Sequence, residues 1–271
     1  MEGSGAAEVY DTYRFSELYQ ASRRPSPEHL RLAADFLFSL FDRHTLLFAF
    51  LGGWAVYLRG GTRRTEDVDV SVDASMEELT AILMPEERLC VPQTHGSTCI
   101  QIFVHTGGRW DDVSSTIPEL PVSVDIIICG KPHLILYSGN MCCQMQPPRK
   151  ADNVHEGNLG IPPNLSEATE MITPTLSVDV GLRTGQAVPV LNIYHQFSTK
   201  LHVHFERRNN NLTDDYVDLV FLAERYPTEI YALHPYMNRD HREAFWQHFA
   251  IRHPDEYARV NRMEMILGLD T

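Results

Sequence analysis

The stretch LGGWAVYLRGGTRRTEDVDV, residues 51–70, carries the pattern from which the fold is best inferred. A short apolar run ends at Gly52 and Gly53, which favours a strand, a tight turn and then a helix. Residues 67–72, DVDVSV, alternate polar and apolar side chains, which is the period of a strand with one buried face. We therefore predict two strands connected through a glycine turn and a short helix.

Two carboxylates occupy alternate positions of the second strand. Asp67 and Asp69 are at i and i+2, so both side chains project from the same face. Paired carboxylates suit Mg²⁺, which prefers oxygen ligands and usually keeps substrate phosphates among them. The glycine turn lets the backbone approach an anion and aims the following helix N-terminus at it. Together these features predict phosphoryl or nucleotidyl transfer beside a Mg²⁺ site.

The remainder of the first half predicts a sheet with flanking helices. Residues 1–25 are small and polar with scattered tyrosines, and we expect them to form a flexible arm. Ser26, followed by proline, is typical of a helix N-cap, and apolar residues at helical spacing follow it. Residues 99–105 and 122–129 are rich in β-branched side chains and predict two further strands.

A long insertion separates this core from the C-terminal half. Residues 138–163 are dense in Pro, Gly, Asn, Met and Cys, which predicts irregular structure. We expect the core to span residues 26–165 and a helical region, packed on the core, to span residues 166–271. The expected fold class is α+β, with a mixed β-sheet flanked by helices and a mostly helical C-terminal half. Helices are predicted at 192–208, 214–226, 239–251 and 255–267.

Composition and charge narrow the class of protein. With 271 residues, of which 43% are hydrophobic and 22% charged, the chain can bury a core and is not fibrous or disordered. Its 23 basic and 36 acidic residues leave a net charge of −13, which disfavours a broad nucleic-acid surface. Five cysteines without a CxxC pair, and no pattern of a signal peptide, predict a reducing, cytoplasmic location. The uncharged, apolar stretch at residues 45–58 is too short to span a membrane, so no membrane association is expected.

The order Gly52-Gly53 and then Asp67-x-Asp69 resembles the signature of the DNA polymerase β-like nucleotidyltransferase superfamily. The surrounding residues are most similar to its minimal members, including the abortive-infection type IV toxin nucleotidyltransferases. Those enzymes are similar in the helical half too, where they carry a lysine, then an arginine about two turns later, then a D-x-x-D-L pattern. The matching residues here are Lys200, Arg207 or Arg208, Asp215, Asp218 and Leu219. The resemblance extends over residues 46–226 with gaps.

This resemblance implies a role for each matching residue of the first half. Asp67 and Asp69 would hold the catalytic Mg²⁺ ions, and Gly52 and Gly53 would line the triphosphate. Asp125 matches the third acidic residue that the superfamily often carries on a later strand, as a metal ligand or a base. A lone carboxylate among such apolar neighbours would also be costly without a partner, which favours a site role.

The resemblance also extends to the helical half of the chain, and the sequence departs from the family pattern at Gly53 in the first half. Lys200 would bind the triphosphate as a mobile point charge. Asp215 and Asp218 are expected to bind the nucleotide or support the site, whereas Asp214 suits helix capping. Many relatives have serine where Gly53 stands, so one hydroxyl contact to phosphate is missing at that position.

The expected activity is transfer of a nucleoside monophosphate from a nucleoside triphosphate to an acceptor hydroxyl, with release of pyrophosphate. The negative charge favours a small molecule or a protein as acceptor, with tRNA second. Two alternatives remain open. One is a non-catalytic or repurposed member of the fold that binds a phosphate ligand or serves a biosynthetic pathway by different chemistry. The other is a metallohydrolase that uses the same carboxylates.

Some polar residues have simpler interpretations. Arg63 and Arg64 precede the predicted metal strand, and a solvated loop is favoured over a phosphate contact or a pair with Glu66. His202 and His204 are two apart on a predicted helix and face different ways, so a metal pair there is not expected.

Overall fold

The computed structural model describes residues 5–111, 117–129, 164–174, 186–207 and 214–270. Within these ranges eight strands form one mixed sheet, in the order β1-β4-β5-β6-β3-β2-β8-β7. The strands are β1 Glu8–Tyr10, β2 Phe48–Leu51, β3 Asp67–Val72, β4 Leu89–Pro92, β5 Cys99–Thr106, β6 Leu120–Ile128, β7 Thr169–Ile172 and β8 Val188–Leu191. The predicted strands at 67–72, 99–105 and 122–129 are confirmed within two residues at either end.

Ten α-helices surround the sheet within the same ranges, so the expected α+β class is confirmed. The insertion predicted at 138–163 and the alternative residue Arg208 lie outside the described residues. The helices are α1 Thr12–Ala21, α2 Pro27–Arg43, α3 Gly52–Leu58, α4 Met76–Leu83, α5 Leu165–Ala168, α6 Ile193–Arg207, α7 Asp214–Arg225, α8 Pro227–Leu233, α9 Arg239–Arg252 and α10 Tyr257–Ile266.

The centre of the sheet is fixed by the pairing of three strands. β3 runs antiparallel to β2, with Leu51 opposite Asp69, and parallel to β6, with Asp69 opposite Asp125. The pairing of these strands directs the polar face of β3 toward one side and its valines into the core.

The predicted start of α2 is confirmed, because the Ser26 side chain accepts a hydrogen bond from the backbone of His29.

Two hydrophobic clusters support the molecule, and α3 contributes to both. Trp54 belongs to the large cluster between the sheet and α2, whereas Val56 belongs to a second cluster among the C-terminal helices. Phe245 and Phe249 of α9 are fully buried in that second cluster. The turn at the start of α3 is therefore held from two sides.

The structure differs from the expected flexible arm at residues 1–25. Residues 8–10 form β1, which pairs in parallel with β4, and residues 12–21 form α1. Tyr10 and Leu18 are buried against Phe103, and Asp11 caps the helix. A strand of three residues is too short to show a period, so the sequence pattern did not reveal this edge of the sheet.

The sheet also extends beyond the expected core boundary at residue 165. β8 pairs in parallel with β2, with Phe50 opposite Val190, and β7 pairs with β8. The expectation that the chain is helical after residue 165 is therefore wrong for residues 169–191 where the structure describes them. The cause is again length, since each strand has four residues and β8 contains Pro189. No helix of the described ranges has both the length and the apolar character needed to cross a bilayer.

The buried side of α1 provides a test of the N-terminal correction. Leu18 is 2% exposed and Tyr13, on the same helix, is 87% exposed. Leu18→Ala should lower the free energy of unfolding by about 2–5 kcal/mol because it leaves a cavity under the helix. Tyr13→Ala should change it by less than about 0.5 kcal/mol. Urea denaturation of both variants measures the difference in the free energy of unfolding. Equal effects of the two substitutions would contradict the packing of residues 12–21 and support the expected flexible arm.

Candidate active site

Three carboxylates converge at the centre of the sheet. Asp67 and Asp69 lie on the same face of β3, and Asp125 lies beside Asp69 on the parallel strand β6. One oxygen from each of the three side chains lies within 4.8 Å of the others. The structure thus brings together the three acidic residues that the sequence predicted as a site.

The glycine turn packs directly against this carboxylate group. Gly52 has φ +64°, and a Cβ there would lie 1.7 Å from Oδ2 of Asp69. Any other residue would meet both a left-handed backbone penalty and a collision with the carboxylate. The amide of Gln196 on α6 donates to the carbonyl oxygen of Gly52 at 3.1 Å, which holds the turn from the other side. Sequence reasoning missed Gln196, since no pattern marks it.

The second glycine leaves room for side chains from the loop before β3. A Cβ at Gly53 would lie 2.6 Å from Nη2 of Arg63 and 2.6 Å from the hydroxyl oxygen of Thr65. The Thr65 hydroxyl donates to Oδ1 of Asp67 at 2.9 Å. The space that a side chain at position 53 would enter is therefore filled by Arg63 and Thr65, and Thr65 orients a carboxylate of the site.

The surroundings of Asp69 raise its proton affinity. Burial raises the pKa of Asp69 well above its ordinary value, and the charges of Asp67 and Asp125 raise it further. Lys200 and Arg63 lower it only in part. A cation placed among these oxygens would relieve the repulsion.

Lys200 occupies a different setting from the mobile charge that the resemblance implied. Its side chain is 11% exposed, and its ammonium nitrogen lies 2.9 Å from Oδ1 of Asp215 and 2.8 Å from Oδ2 of Asp218. Burial alone would lower the pKa of Lys200, but Asp218 and Asp215 raise it overall. Lys200 is therefore a charged residue in a fixed position beside the carboxylate group.

Arg63 completes this ionic network, and its expected place in a solvated loop is wrong. Its Nε and Nη2 atoms donate to the two oxygens of Asp218 at 2.8 and 2.9 Å. Nη1 of Arg207 donates to Oδ2 of Asp215 at 3.2 Å, which places the predicted arginine in the same network. Burial would raise the pKa of Asp215, but attraction by Lys200 and Arg207 outweighs it and lowers that pKa. Arg64 is exposed, as expected for a solvated loop.

The acidic group meets the requirements of a divalent cation site. All three donors are carboxylate oxygens, which is the ligand type that Mg²⁺ prefers. Burial and, after it, repulsion by Asp67 and Asp125 raise the pKa of Asp69, and a cation among these oxygens would remove the repulsion. The residues that can hold Mg²⁺ are therefore Asp67, Asp69 and Asp125.

A solved structure shares this architecture. The chain is similar to an antigenic nucleotidyltransferase-like protein from Paracoccidioides brasiliensis, with a TM-score of 0.52, 13% identity, and coverage of 86% of this chain and 93% of that one. This chain has a nucleotidyltransferase-like fold. A second match, the antibiotic-resistance factor ANT(2'')-Ia, has a TM-score of 0.39 and 12% identity over 93% of this chain and 99% of that one. No family model and no curated protein matches the chain.

The close approach of Gly52 to Asp69 in this nucleotidyltransferase-like fold can be tested by adding one methyl group. Gly52→Ala should lower the free energy of unfolding by about 1–3 kcal/mol because of the positive φ, and should displace the carboxylate. Gly96→Ala is the matched control, because the nearest atom to its Cβ is 3.5 Å away and its φ is not positive. Chemical denaturation compares them, and a Gly52→Ala protein as stable as the control would contradict the packing described here.

The ionic network makes a second prediction. The Asp218 side chain is 1% exposed and accepts from both Arg63 and Lys200, so Asp218→Asn leaves two buried cations short of a partner. We expect a loss of about 3–5 kcal/mol in the free energy of unfolding. Asp214 lies one turn earlier, is 69% exposed and has one contact of 3.4 Å with Arg63, so Asp214→Asn should cost less than about 1 kcal/mol.

The pH dependence of the same network follows from the pKa directions. The pKa of Asp215 is lowered in the folded state, so its stabilisation is present above the unfolded pKa and is lost as pH falls through the folded value. The pKa of Lys200 is raised, so its stabilisation is lost only as pH rises through that raised value. The difference in stability between wild type and Asp218→Asn should therefore persist at neutral pH, and its absence there would contradict the network.

Proposed function

We propose that the protein is a Mg²⁺-dependent nucleotidyltransferase, which moves a nucleoside monophosphate from a nucleoside triphosphate to an acceptor hydroxyl. The observation that carries this proposal is the convergence of Asp67, Asp69 and Asp125 against the turn at Gly52. That arrangement places oxygen ligands for a cation next to main chain that a phosphate can approach. The nucleotidyltransferase-like fold supports it, as does the resemblance to the minimal members of the superfamily.

Each residue of the site has a part in this reaction. Asp67 and Asp69 hold Mg²⁺, which would neutralise charge on the phosphates. Asp125 takes the proton of the acceptor hydroxyl, whose oxygen forms a bond to the α-phosphorus as the bond to pyrophosphate breaks. Thr65 keeps Asp67 oriented through its hydrogen bond.

The cations beside the site position the triphosphate. Lys200 has three N–H donors, and Asp215 and Asp218 accept two of them, so one remains for a phosphate oxygen. The backbone of Gly52 and Gly53 lines the opposite side. In this arrangement Asp215 and Asp218 act on the nucleotide through the cation that they hold.

The acceptor follows from the charge of the whole chain. A net charge of −13 repels a polyanion, so we propose a small molecule or a protein as acceptor, with tRNA second. The five cysteines of the sequence include no CxxC pair, which supports a reducing, cytoplasmic setting.

A second candidate function is phosphate-ligand binding without transfer. The observation that favours it is the pairing of Lys200 with two carboxylates, because this pairing offsets the charge that would otherwise attract a triphosphate. Under this alternative a nucleotide would bind but no acceptor would become labelled.

The carboxylates of β3 are the residues to change first. Asp67→Asn and Asp69→Asn should each lower transfer by at least about 100-fold, because each removes a metal oxygen ligand and its charge. Glu66→Gln is the matched control, since Glu66 is the exposed neighbour of Asp67. The assay incubates each protein with each labelled triphosphate, Mg²⁺ and cell extract, and identifies the labelled product by mass spectrometry.

Thermal unfolding separates the two candidate functions. Stabilisation of the wild type by a triphosphate only in the presence of Mg²⁺, and its loss in both Asn variants, is expected for the enzyme. Triphosphate binding without any labelled product would favour the second candidate. Undiminished transfer in both Asn variants would overturn the proposed mechanism.

A further inference from the structure

A second cluster of metal-ligating side chains lies at the other edge of the sheet. Glu8 on β1 stands opposite Cys90 on β4, and Cys90 stands opposite Phe103 on β5. His105 lies two residues beyond Phe103, so its side chain shares a face with those of Glu8 and Cys90. β1 is distant in sequence from the neighbouring strands β4 and β5, and together the three strands bring a carboxylate, a thiol and an imidazole to one place beneath α1.

The distances between the three groups match those between ligands of one tetrahedral ion. Sγ of Cys90 lies 3.3 Å from Nε2 of His105 and 3.5 Å from Oε2 of Glu8. One ligand atom from each residue lies within 4.8 Å of the other two. Zinc–sulfur and zinc–nitrogen bonds of ordinary length at a tetrahedral angle separate their ligands by about 3.5 Å. No large movement is needed for a shared ion.

The surroundings orient two of the three ligands. Arg14 donates to Oε1 of Glu8 at 2.5 Å and to Oε2 at 3.3 Å, and Oε2 also accepts from the Cys90 thiol. The ring of His105 stacks on Trp110, with 5.2 Å between centroids. Among the described residues, buried Nδ1 of His105 has no hydrogen-bond partner, and it lies 3.8 Å from Oε1 of Glu119, which accepts from Trp110. A carboxylate behind the second nitrogen is the usual support of a metal-bound histidine.

The cluster can be reached from solvent. A surface cavity of about 290 Å³ is lined by residues that include Arg14, Leu18, His105 and Glu119. Cys90 is fully buried, but the Glu8 side chain is 41% exposed and that of His105 is 17% exposed. An ion can therefore enter on the side of Glu8 and His105, and a water molecule can supply a fourth ligand.

Coordination of an ion would displace the proton of the Cys90 thiol, because the thiolate is the form that binds a metal. Ion binding would break the S–H bond, form a bond from sulfur to the metal and release the proton to solvent.

We propose that Glu8, Cys90 and His105 form a binding site for Zn²⁺ that fastens the N-terminal strand to the sheet. Sulfur and imidazole ligands favour Zn²⁺ over Mg²⁺, so this site differs in chemistry from the group of three aspartates. It is also independent of the proposed nucleotidyl transfer, because it shares no residue with that reaction.

Cobalt substitution in the full chain tests the site. Metal-free, reduced wild type titrated with Co²⁺ should develop a near-ultraviolet thiolate-to-cobalt absorption band that saturates at one ion per chain. Zn²⁺ should remove the band by displacement, and excess Mg²⁺ should not. Cys90→Ser and His105→Gln should abolish the band, and Cys90→Ser should weaken Zn²⁺ binding by at least about 100-fold.

Two control variants test whether other candidate ligands produce the absorption band. Cys99→Ser changes a thiol six residues before His105 on the same strand, and Asp69→Asn changes the aspartate group; both should retain the band. Circular dichroism establishes that each variant is folded, and His105→Gln decides the result if Cys90→Ser does not fold. A wild type without the band, or a band that survives in folded Cys90→Ser or His105→Gln, would overturn the proposal.

Discussion

Three carboxylates on two paired strands repel one another, and the rest of the structure has to offset that repulsion. Asp69 and Asp125 face each other in a parallel ladder, and Asp67 adds a third charge on the same face. Like charges so placed destabilise a sheet. Burial raises the pKa of Asp69, and the charges of Asp67 and Asp125 raise it further. Such a group persists only where its surroundings compensate. Lys200 and Arg63 compensate in part, and the proposed Mg²⁺ would supply what remains.

The ionic network beside the carboxylates also connects the two halves of the chain. Arg63 belongs to the loop before β3, whereas Asp218 belongs to α7, and their paired hydrogen bonds are the polar counterpart of the apolar contacts that α3 makes with both cores. A buried ion pair is weak evidence for stability in itself, because removing both charges from water is costly. Its consequence here is the relative position of the residues that it joins. Lys200 of α6 is paired with two carboxylates of α7, and one of these, Asp218, also joins α7 to the loop through Arg63.

The sequence predicted those parts of the site that depend on local geometry. Asp67 and Asp69 are two residues apart on a strand, which placed both carboxylates on one face, and the glycine pair marked the turn. Both inferences were possible because strand period and φ freedom are properties of neighbouring residues. The pairing of Asp125 with Asp69 came from the resemblance, since no local rule gives the register of a parallel strand 56 residues later. The partners of Lys200 and Arg63 were missed for the same reason. The strands β1, β4, β7 and β8, of three or four residues each, were missed because they are too short to show a period, whereas the equally short β2 was marked by the glycine pair that follows it.

The glycine at position 53 shows how a local departure can be compensated from a distant position. A serine there would place its Cβ 2.6 Å from the hydroxyl oxygen of Thr65, so one of the two side chains would have to shift. The Thr65 hydroxyl instead donates to Oδ1 of Asp67. Under the proposed function, the backbone of the turn contacts phosphate and the hydroxyl fixes a metal ligand. A glycine at position 53 is therefore compatible with the proposed site, because it leaves space for the side chain that orients Asp67.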